Sequence, residues 1–499
     1  MATRAKATIA SSKLAPVESR SWPFKLDGPG LQFTLLILIA FALRASTFGH
    51  PNFFLDEAFY FASGIEVSQG AVPFIDVWDR KPWGHFALFA AIASVSHDPI
   101  AYQIAATLFA ASTAFFITRF ALPVAGSLGA IAAGLAYLLY LPIFSGAGGQ
   151  SPVFYNAFIA ASALLVWKGR EGGGWQTALA MLLAGIAISI KTTAVFDGIA
   201  LGIAAMWFCW KRHGAHSRVI ERAVFWAVLG AAPSLAIAIG YWQAGYWDEF
   251  WQAMALSNLD KSYGFASSWE RAVTMGTRIA PIALIAAASW PQWRGKSEVV
   301  VLSAWLAAAL IGLLAIPNFY AHYALPLLMP LCVLAAPFFA RLPIGPVAIA
   351  TLAAMSLWLV PGNGRDQTEK AKAALSELAY VVQTHGGERG LFNYDGPQML
   401  YAASGTRPLT PLSFGPHLNH APEADVSHLD TSAEVARVLA LKPGVIVMAP
   451  KARHLPANSE TRAMVESYVA TNCHEVAVVS MPMRYRADDI AVYGDCAAS

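Results

Sequence analysis

About eleven apolar segments, each close to the length of a membrane-spanning helix, occupy residues 31–360 of the chain. Hydrophobic residues make up 56% of the sequence and charged residues 13%, whereas soluble domains carry about 25% charged residues. The sequence therefore predicts a polytopic α-helical membrane protein with about 11 transmembrane helices. The apolar segments lie near residues 31–48, 99–118, 124–143, 154–168, 175–190, 193–210, 223–243, 276–292, 298–316, 322–340 and 343–360.

The distribution of lysine and arginine predicts how these helices are oriented. Residues 1–30 are basic and no small-residue cleavage site follows the first apolar segment, which predicts an uncleaved anchor with a cytoplasmic N-terminus. Residues 83–96 are too short for a typical span and are predicted to form an interfacial helix, because only then do the loops richest in lysine and arginine face the cytoplasm. Four loops then share the outer side and are able to build one site: those at Asp56, 146–152, 246–274 and 318–322.

The pattern of apolar and polar residues changes after residue 360. Apolar runs at 444–448 and 475–480 are typical of buried strands, and they alternate with helical stretches such as 367–384 and 431–441. This pattern predicts a small extracytoplasmic α/β domain. We therefore expect three parts: a cytoplasmic basic N-terminus over 1–30, a transmembrane domain over 31–360 and a periplasmic α/β domain over 361–499.

The cysteines and the net charge exclude some classes of function. The four cysteines form no CxxC pattern, which argues against a zinc or redox motif. Cys209 and Cys332 lie in apolar segments and are expected to be inert, whereas Cys473 and Cys496 are able to pair if the C-terminal region is extracytoplasmic. The net charge is +3 and no basic stretch is interleaved with aromatic residues, so nucleic acid is not an expected partner.

Charged residues cluster in the first loop outside the membrane. Asp56 and Glu57 follow the first apolar segment, and Arg80, Lys81 and Pro82 come a short distance later. Carboxylates beside a bilayer, followed by cations, are typical of a site that handles an anionic, lipid-borne substrate.

The same loop carries a resemblance to a known family. An Asp-Glu pair after the first transmembrane helix, followed by Lys81-Pro82 at the head of an interfacial helix, resembles the polyprenyl-phosphate-sugar-dependent glycosyltransferases of the GT-C fold. Within them the chain is most similar to the lipid A aminoarabinose transferases and the protein O-mannosyltransferases. Trp83 departs from the family pattern, which usually has a second proline there.

The resemblance implies an enzyme of the bacterial inner membrane. Such an enzyme transfers a hexosyl or pentosyl group from a polyprenyl-phosphate carrier to a periplasmic acceptor, which is a glycolipid, a polysaccharide or a protein. The expected partners are this donor, the acceptor and membrane lipids. The phosphate leaves as a stabilised anion, so one base and a set of cations suffice, in contrast to glycoside hydrolysis, which needs a second, protonated carboxyl group.

Roles for the first-loop residues follow from that chemistry. Asp56 is the candidate general base and predicts inversion at the anomeric carbon, while Glu57 is expected to position the substrate or hold the loop. Lys81 and Arg80 are candidates to neutralise the carrier phosphate, and Lys191 is a second candidate. The alternatives are an ordinary solvated loop for the acids, contact with lipid headgroups for Arg80 and a plain loop lysine for Lys191.

Two further turns hold candidate substrate ligands. Tyr320, His322 and Tyr323 lie at the outer end of a span, where related enzymes contact the donor phosphate, although an aromatic belt with an interfacial histidine explains them nearly as well. Asn156 follows the turn at 146–152 and is a candidate to bind sugar hydroxyl groups; ordinary turn chemistry is the alternative.

No metal and no other cofactor is favoured. Related enzymes often keep an acid near the turn at 146–152, but no acidic residue lies between Ser145 and Trp167. Two carboxylates are usually needed to hold Mg²⁺ beside a phosphate, which leaves a divalent ion possible but not favoured. The tail shows no recognisable catalytic motif, and His417, His420 and His428 are expected to be surface residues.

Two other classes of function compete with the enzyme. A transporter or flippase of a lipid-linked or anionic substrate usually places its ionisable residues at mid-membrane, on paired broken helices. A catalytically silent assembly factor has no reason to keep Asp56 together with Lys81. The clustering of charge at the outer surface favours the glycosyltransferase.

Overall fold

A computed structural model describes residues 27–214, 216–257, 265–359, 364–386, 389–483 and 486–496. Side chains in the third range are described from residue 267. Most of the basic segment predicted over 1–30, including Arg4, Lys6, Lys13, Arg20 and Lys25, lies outside the described residues.

The apolar segments of the sequence form a bundle of helices, as expected for a polytopic α-helical membrane protein. Each of the predicted segments coincides with helical structure. The helices of this part are α1 (Pro29–Arg44), α2 (Leu55–Ser68), α3 (Trp83–Ala93), α4 (Ile100–Tyr140), α5 (Ser151–Gly169), α6 (Gly174–Ile190), α7 (Ala194–His213), α8 (His216–Ala244), α9 (Trp247–Trp251), α10 (Phe265–Trp293), α11 (Glu298–Leu314), α12 (Leu325–Phe339) and α13 (Ile344–Leu359).

The second and third predicted spans join in the single element α4. They are separated at Gly126, whose φ of 64° and ψ of 178° are not helical. Glycine adopts such a positive φ without the steric cost that a side chain brings, so the chain bends there. Among the described residues, six helical stretches are long and apolar enough to cross a membrane, and shorter apolar helices accompany them. The count of eleven spans stays a prediction.

Helix α3 lies where an interfacial helix is predicted, and it is only 11 residues long. A Cβ atom at Gly84, in its first turn, would lie 2.5 Å from the carbonyl oxygen of Ser189, near the end of α6. Glycine therefore permits a close approach between α3 and α6. This contact brings the loop that ends at Lys81 near the turn that holds Lys191.

The C-terminal part is an α/β domain, as the sequence predicts. Its sheet has the order β1-β2-β4-β3, with β1 parallel to β2 and both other pairs antiparallel. Helix α14 packs against β3, and a disulfide joins Cys473 to Cys496. The elements are α14 (Arg365–Gly386), β1 (Leu391–Asn393), α15 (Leu400–Ser404), α16 (Gly415–Asn419), α17 (Thr431–Ala440), β2 (Val445–Met448), α18 (Ser459–Asn472), β3 (His474–Pro482) and β4 (Ala487–Gly494).

The C-terminal domain is in direct contact with the first loop of the helical part. The backbone N–H of Trp78 donates a hydrogen bond to the carbonyl oxygen of Pro411 at 2.9 Å. The rings of Phe59 and Phe414 lie 4.6 Å apart. The loop that holds the candidate acids and cations is thus enclosed between the helices and this domain.

Candidate active site

A cavity of about 760 Å³ lies between the helical part and the C-terminal domain. Its lining comes from the first loop, the turn before α7, the turn before α12 and the segment around α16. The loops in this lining are ones that charge placement assigns to one side of the membrane. They therefore meet at this cavity. The predicted site residues in the lining are Asp56, Arg80, Lys81, Lys191, Tyr320, His322 and Tyr323.

Asp56 lies in the first turn of α2 and faces the cavity. Burial raises the pKa of its carboxyl group, although the nearby ammonium group of Lys81 acts in the opposite direction. A carboxylate with a raised pKa accepts a proton more readily than an ordinary surface aspartate. The first turn of α2 thus presents a basic group to the cavity.

Asp79 fixes the backbone of the loop that carries Lys81. Its Oδ2 accepts a hydrogen bond from the Tyr60 hydroxyl group at 2.8 Å, and its Oδ1 accepts one from the backbone N–H of Lys81 at 3.1 Å. Burial by itself raises the pKa of Asp79, but the neighbouring His417, together with Lys81 and Arg80, holds that pKa well below its usual range. Asp79 is therefore ionised at neutral pH.

Arg80 is held by a residue of the C-terminal domain. Its Nη2 lies 2.6 Å from Oε2 of Glu423, and only 8% of the Arg80 side chain is exposed. The imidazole of His417 lies between two carboxylates, with Nε2 3.7 Å from Asp79 and Nδ1 3.8 Å from Glu423. Four charged or polar side chains from two parts of the chain thus form one largely buried cluster.

Another part of the cavity lining is cationic and aromatic. The ammonium nitrogen of Lys191 lies 5.4 Å from the centre of the Tyr323 ring. The His322 ring lies 4.5 Å from Tyr323 and is stacked with Tyr320 at 6.3 Å. Arg271 supports this turn, since its Nε donates a hydrogen bond to the carbonyl oxygen of Asn318 at 2.6 Å. A ligand in the cavity would thus meet Lys191 as well as Arg80 and Lys81.

Glu57 and Asn156 lie outside the cavity lining. Glu57 is 1% exposed, and its carboxylate lies so close to Gly148 that a Cβ atom there would be 2.0 Å from Oε2. Arg44 donates hydrogen bonds to the carbonyl oxygens of Gly146 and Gly148 at 2.7 and 2.5 Å. This arrangement fits the loop-holding alternative for Glu57.

Asn156 is fully buried in α5 and donates a hydrogen bond to the Tyr137 hydroxyl group at 3.1 Å. This contact between helices occupies one of the two amide N–H donors with which Asn156 would bind a sugar hydroxyl group.

The expectation of surface histidines in the tail is wrong for His417. It is 3% exposed, and its ring packs against Trp78 at 4.9 Å and Phe414 at 5.2 Å. His420 is half-buried and also lines the cavity, whereas His428 is exposed as expected. The acid Asp79, which the sequence places directly before Arg80, was the one local signal for this cluster.

A bound divalent ion would need several ligands of suitable type. Among the residues that the structure describes, no group of three or more His, Cys, Asp and Glu side chains is arranged to hold a metal ion.

Comparison with solved structures identifies the architecture. The crystal structure of ArnT from Cupriavidus metallidurans bound to undecaprenyl phosphate superposes with a TM-score of 0.65 and 12% sequence identity, over 93% of this chain and 98% of the ArnT chain. The apo structure of the same ArnT gives a TM-score of 0.61 and 13% identity, over 92% and 97% of the two chains.

The chain has the GT-C fold. The fold class expected from the sequence, a polytopic membrane helical part with a small α/β domain, is therefore confirmed, as is the structural resemblance to a lipid A aminoarabinose transferase. Neither a protein-family model nor a curated protein sequence matches the chain. The similarity within the GT-C fold is thus one of structure over nearly the full length of both chains.

Proposed function

We propose that the protein is a membrane glycosyltransferase that transfers a sugar from a polyprenyl-phosphate carrier to an acceptor on the outer face of the bacterial inner membrane. The observation that carries the proposal is the cavity of about 760 Å³, which Asp56 lines together with the cations Arg80, Lys81 and Lys191. The ArnT structure with the same fold was solved with undecaprenyl phosphate bound, which supports a donor of this class.

The proposed reaction is a single displacement. An acceptor hydroxyl oxygen attacks the anomeric carbon while the bond from that carbon to the phosphate oxygen breaks, which inverts the configuration. Asp56 takes the proton of the hydroxyl group, and the bonding electron pair leaves with the polyprenyl phosphate. Because the phosphate is a stabilised leaving group, no second carboxyl group needs to protonate it.

The cations act on the leaving phosphate. Lys81, Arg80 and Lys191 line the same cavity and offset the negative charge that increases on the phosphate oxygen as the bond breaks. Tyr320, His322 and Tyr323 offer polar groups on the Lys191 side of the cavity. We propose that the reaction needs no metal ion, since the basic and cationic groups already present supply both functions.

The disulfide supports the proposed location of the C-terminal domain. Cys473 and Cys496 are joined, whereas Cys209 and Cys332 are free and buried in the helical part. Disulfides persist in oxidising compartments such as the bacterial periplasm. A periplasmic C-terminal domain places the cavity on the side of the membrane where the acceptor is expected.

The experiment that tests the function compares cell envelopes. A strain without the gene is complemented with the wild-type chain or with Asp56→Asn, and the masses of envelope glycolipids and glycoproteins are measured. We expect the wild-type chain to restore a product heavier by one sugar residue, and Asp56→Asn not to restore it. Identical envelope masses in the deleted and wild-type-complemented strains would count against a glycosyltransferase.

A further inference from the structure

The C-terminal domain contributes charged groups to the cation side of the cavity. Glu423 and His417 belong to this domain, and both line the cavity beside Arg80. Residues 80 and 423 are 343 positions apart in the chain. A contact of this kind requires the domain to be seated on the first loop.

Glu423 restrains the Arg80 guanidinium group through a single nitrogen. Nη2 lies 2.6 Å from Glu423, while the buried Nε and Nη1 of Arg80 have no hydrogen-bond partner among the described residues. Buried guanidinium donors without partners cost free energy. Since Arg80 lines the cavity, these two donors are suited to an anionic ligand that enters it.

Glu423 also lies close to His417, which connects it with Asp79. The Nδ1 atom of His417 lies 3.8 Å from the same Glu423 oxygen that contacts Arg80, and Nε2 lies 3.7 Å from Asp79. Asp79 in turn accepts the backbone N–H of Lys81. The domain therefore contacts both predicted phosphate ligands, Arg80 directly and Lys81 through Asp79.

We propose that Glu423 is a positioning residue for the phosphate of the donor: it orients Arg80 so that the Nε and Nη1 donors of the guanidinium group bind the phosphate oxygens. This inference rests on the proposed function. It makes the C-terminal domain part of the donor site, with His417 as the support that holds Glu423 against Arg80.

Electrostatics alone predicts the opposite effect for Glu423. A carboxylate in the lining repels a phosphate, so neutralising it strengthens phosphate binding if Glu423 has no positioning role. If Glu423 orients Arg80, neutralising it weakens binding, because the guanidinium group loses its fixed geometry. The sign of the change in affinity therefore separates the two explanations.

The test measures binding of undecaprenyl monophosphate to the purified full-length chain in lipid nanodiscs. We expect Glu423→Gln to weaken binding about tenfold, the effect of losing one charged hydrogen bond, and Glu423→Asp, which keeps the charge, to recover most of the affinity. Glu434→Gln is the matched control, since Glu434 pairs with Arg437 at 2.7 Å in the same domain but lies outside the cavity lining.

A double-mutant cycle is completed by Arg80→Ala and the double variant Arg80→Ala/Glu423→Gln. With Arg80 absent, Glu423→Gln should cause no further loss of affinity, because there is no guanidinium group left to orient. Thermal unfolding of each variant shows whether the fold is intact, and Glu423→Asp remains informative if Glu423→Gln is unstable.

The outcomes separate the two proposals. If Glu423→Gln binds undecaprenyl monophosphate as tightly as the wild-type chain or more tightly, the positioning role is overturned and the proposed function stands. Equal, additive losses from Arg80→Ala and Glu423→Gln also overturn it. A wild-type chain that binds no undecaprenyl monophosphate overturns the proposed function and this inference together.

Discussion

The ammonium nitrogen of Lys81 lies 5.3 Å from the centre of the Tyr60 ring. The hydroxyl group of the same tyrosine donates to Asp79, which accepts the backbone N–H of Lys81. The side chain and the backbone of Lys81 are thus both held by one pair of residues. A cation fixed in this way needs little rearrangement to receive a phosphate.

Lys81→Ala is expected to weaken donor binding and to lower kcat/KM together, because the proposed contact of its ammonium group with the phosphate exists in both the ground state and the transition state. Losing a charged partner of a buried phosphate should cost about tenfold or more in affinity. Titration with a polyprenyl-phosphate donor measures this. Lys168→Ala, which removes an exposed lysine outside the cavity lining, is the control; donor affinity that is the same in both variants would refute the assignment.

Asp56→Asn is expected to leave donor binding largely intact and to slow turnover by about 10²-fold to 10⁴-fold, the usual contribution of a general base. The amide keeps the shape of the side chain but does not accept the proton. Single-turnover rates measured with saturating donor give the comparison. Turnover at the wild-type rate would show that another group is the base.

Asp56 and Asp79 are expected to affect stability in opposite directions. The raised pKa of Asp56 means that its charged form is disfavoured in the folded state, so Asp56→Asn should raise the unfolding temperature at neutral pH. This gain in unfolding temperature should decrease as the pH falls through the raised pKa, because the wild-type carboxyl group is then protonated and neutral, like the amide of the variant.

The pKa of Asp79 is lowered, so its carboxylate stabilises the fold above the unfolded-state pKa, and that contribution is lost only as the pH falls through the lower folded-state value. Asp79→Asn should therefore destabilise the protein at neutral pH, by on the order of 2 kcal/mol. Thermal unfolding of both variants across acidic and neutral pH checks the two signs. Two shifts in the same direction would contradict the electrostatic account.

The predicted orientation is open to labelling with an impermeant thiol reagent in intact cells. Cysteine at Glu171 or Lys296, both exposed in loops predicted to be cytoplasmic, should resist the reagent, whereas cysteine at Ala403 in the C-terminal domain should react. The wild-type chain is the background, since its free cysteines Cys209 and Cys332 are buried. Labelling at Glu171 in intact cells would reverse the orientation.

Transfer is expected to survive thorough chelation of divalent ions. Asp56 and the cations of the cavity carry the proposed chemistry by themselves, so removing metal should leave the rate essentially unchanged. The assay compares activity before chelation, after it, and after addition of Mg²⁺ or Mn²⁺. Activity that disappears and then returns with metal would make Asp56 a metal ligand instead of a base.

The helices and the first loop were predictable because their signals are local. The length of an apolar segment can be read directly from the sequence, whatever the segment packs against. Charged residues at the ends of such segments, such as Asp56, Lys81 and Lys191, are equally recognisable. Charge placement assigned them to one side of the membrane, and the structure shows that they line one cavity. Asp79 lies in the same loop, yet its role depends on Tyr60 and His417, which only the folded chain brings near it.

The contribution of the C-terminal domain was not predictable in this way. His417 looks like a surface residue because the sequence around it is rich in proline and polar residues, and nothing nearby shows that Trp78 and Phe414 cover it. Asn156 follows the predicted site in the sequence, but its amide donates a hydrogen bond to Tyr137 on the neighbouring helix α4. Both outcomes depend on contacts between different segments of the chain, and such contacts leave no periodic pattern in the local sequence.

The lining of the cavity begins at Phe54 and ends at His454. During synthesis the ribosome makes every helix of the bundle before it reaches Glu423, so the early part of the chain can enter the membrane while Arg80 still lacks its partner. A chain that terminates prematurely after α13 therefore keeps its membrane anchors and Asp56 but has a cavity open on one side. Such a fragment would keep the proposed base but lack His417 and Glu423, so donor binding and transfer should require the complete C-terminal domain.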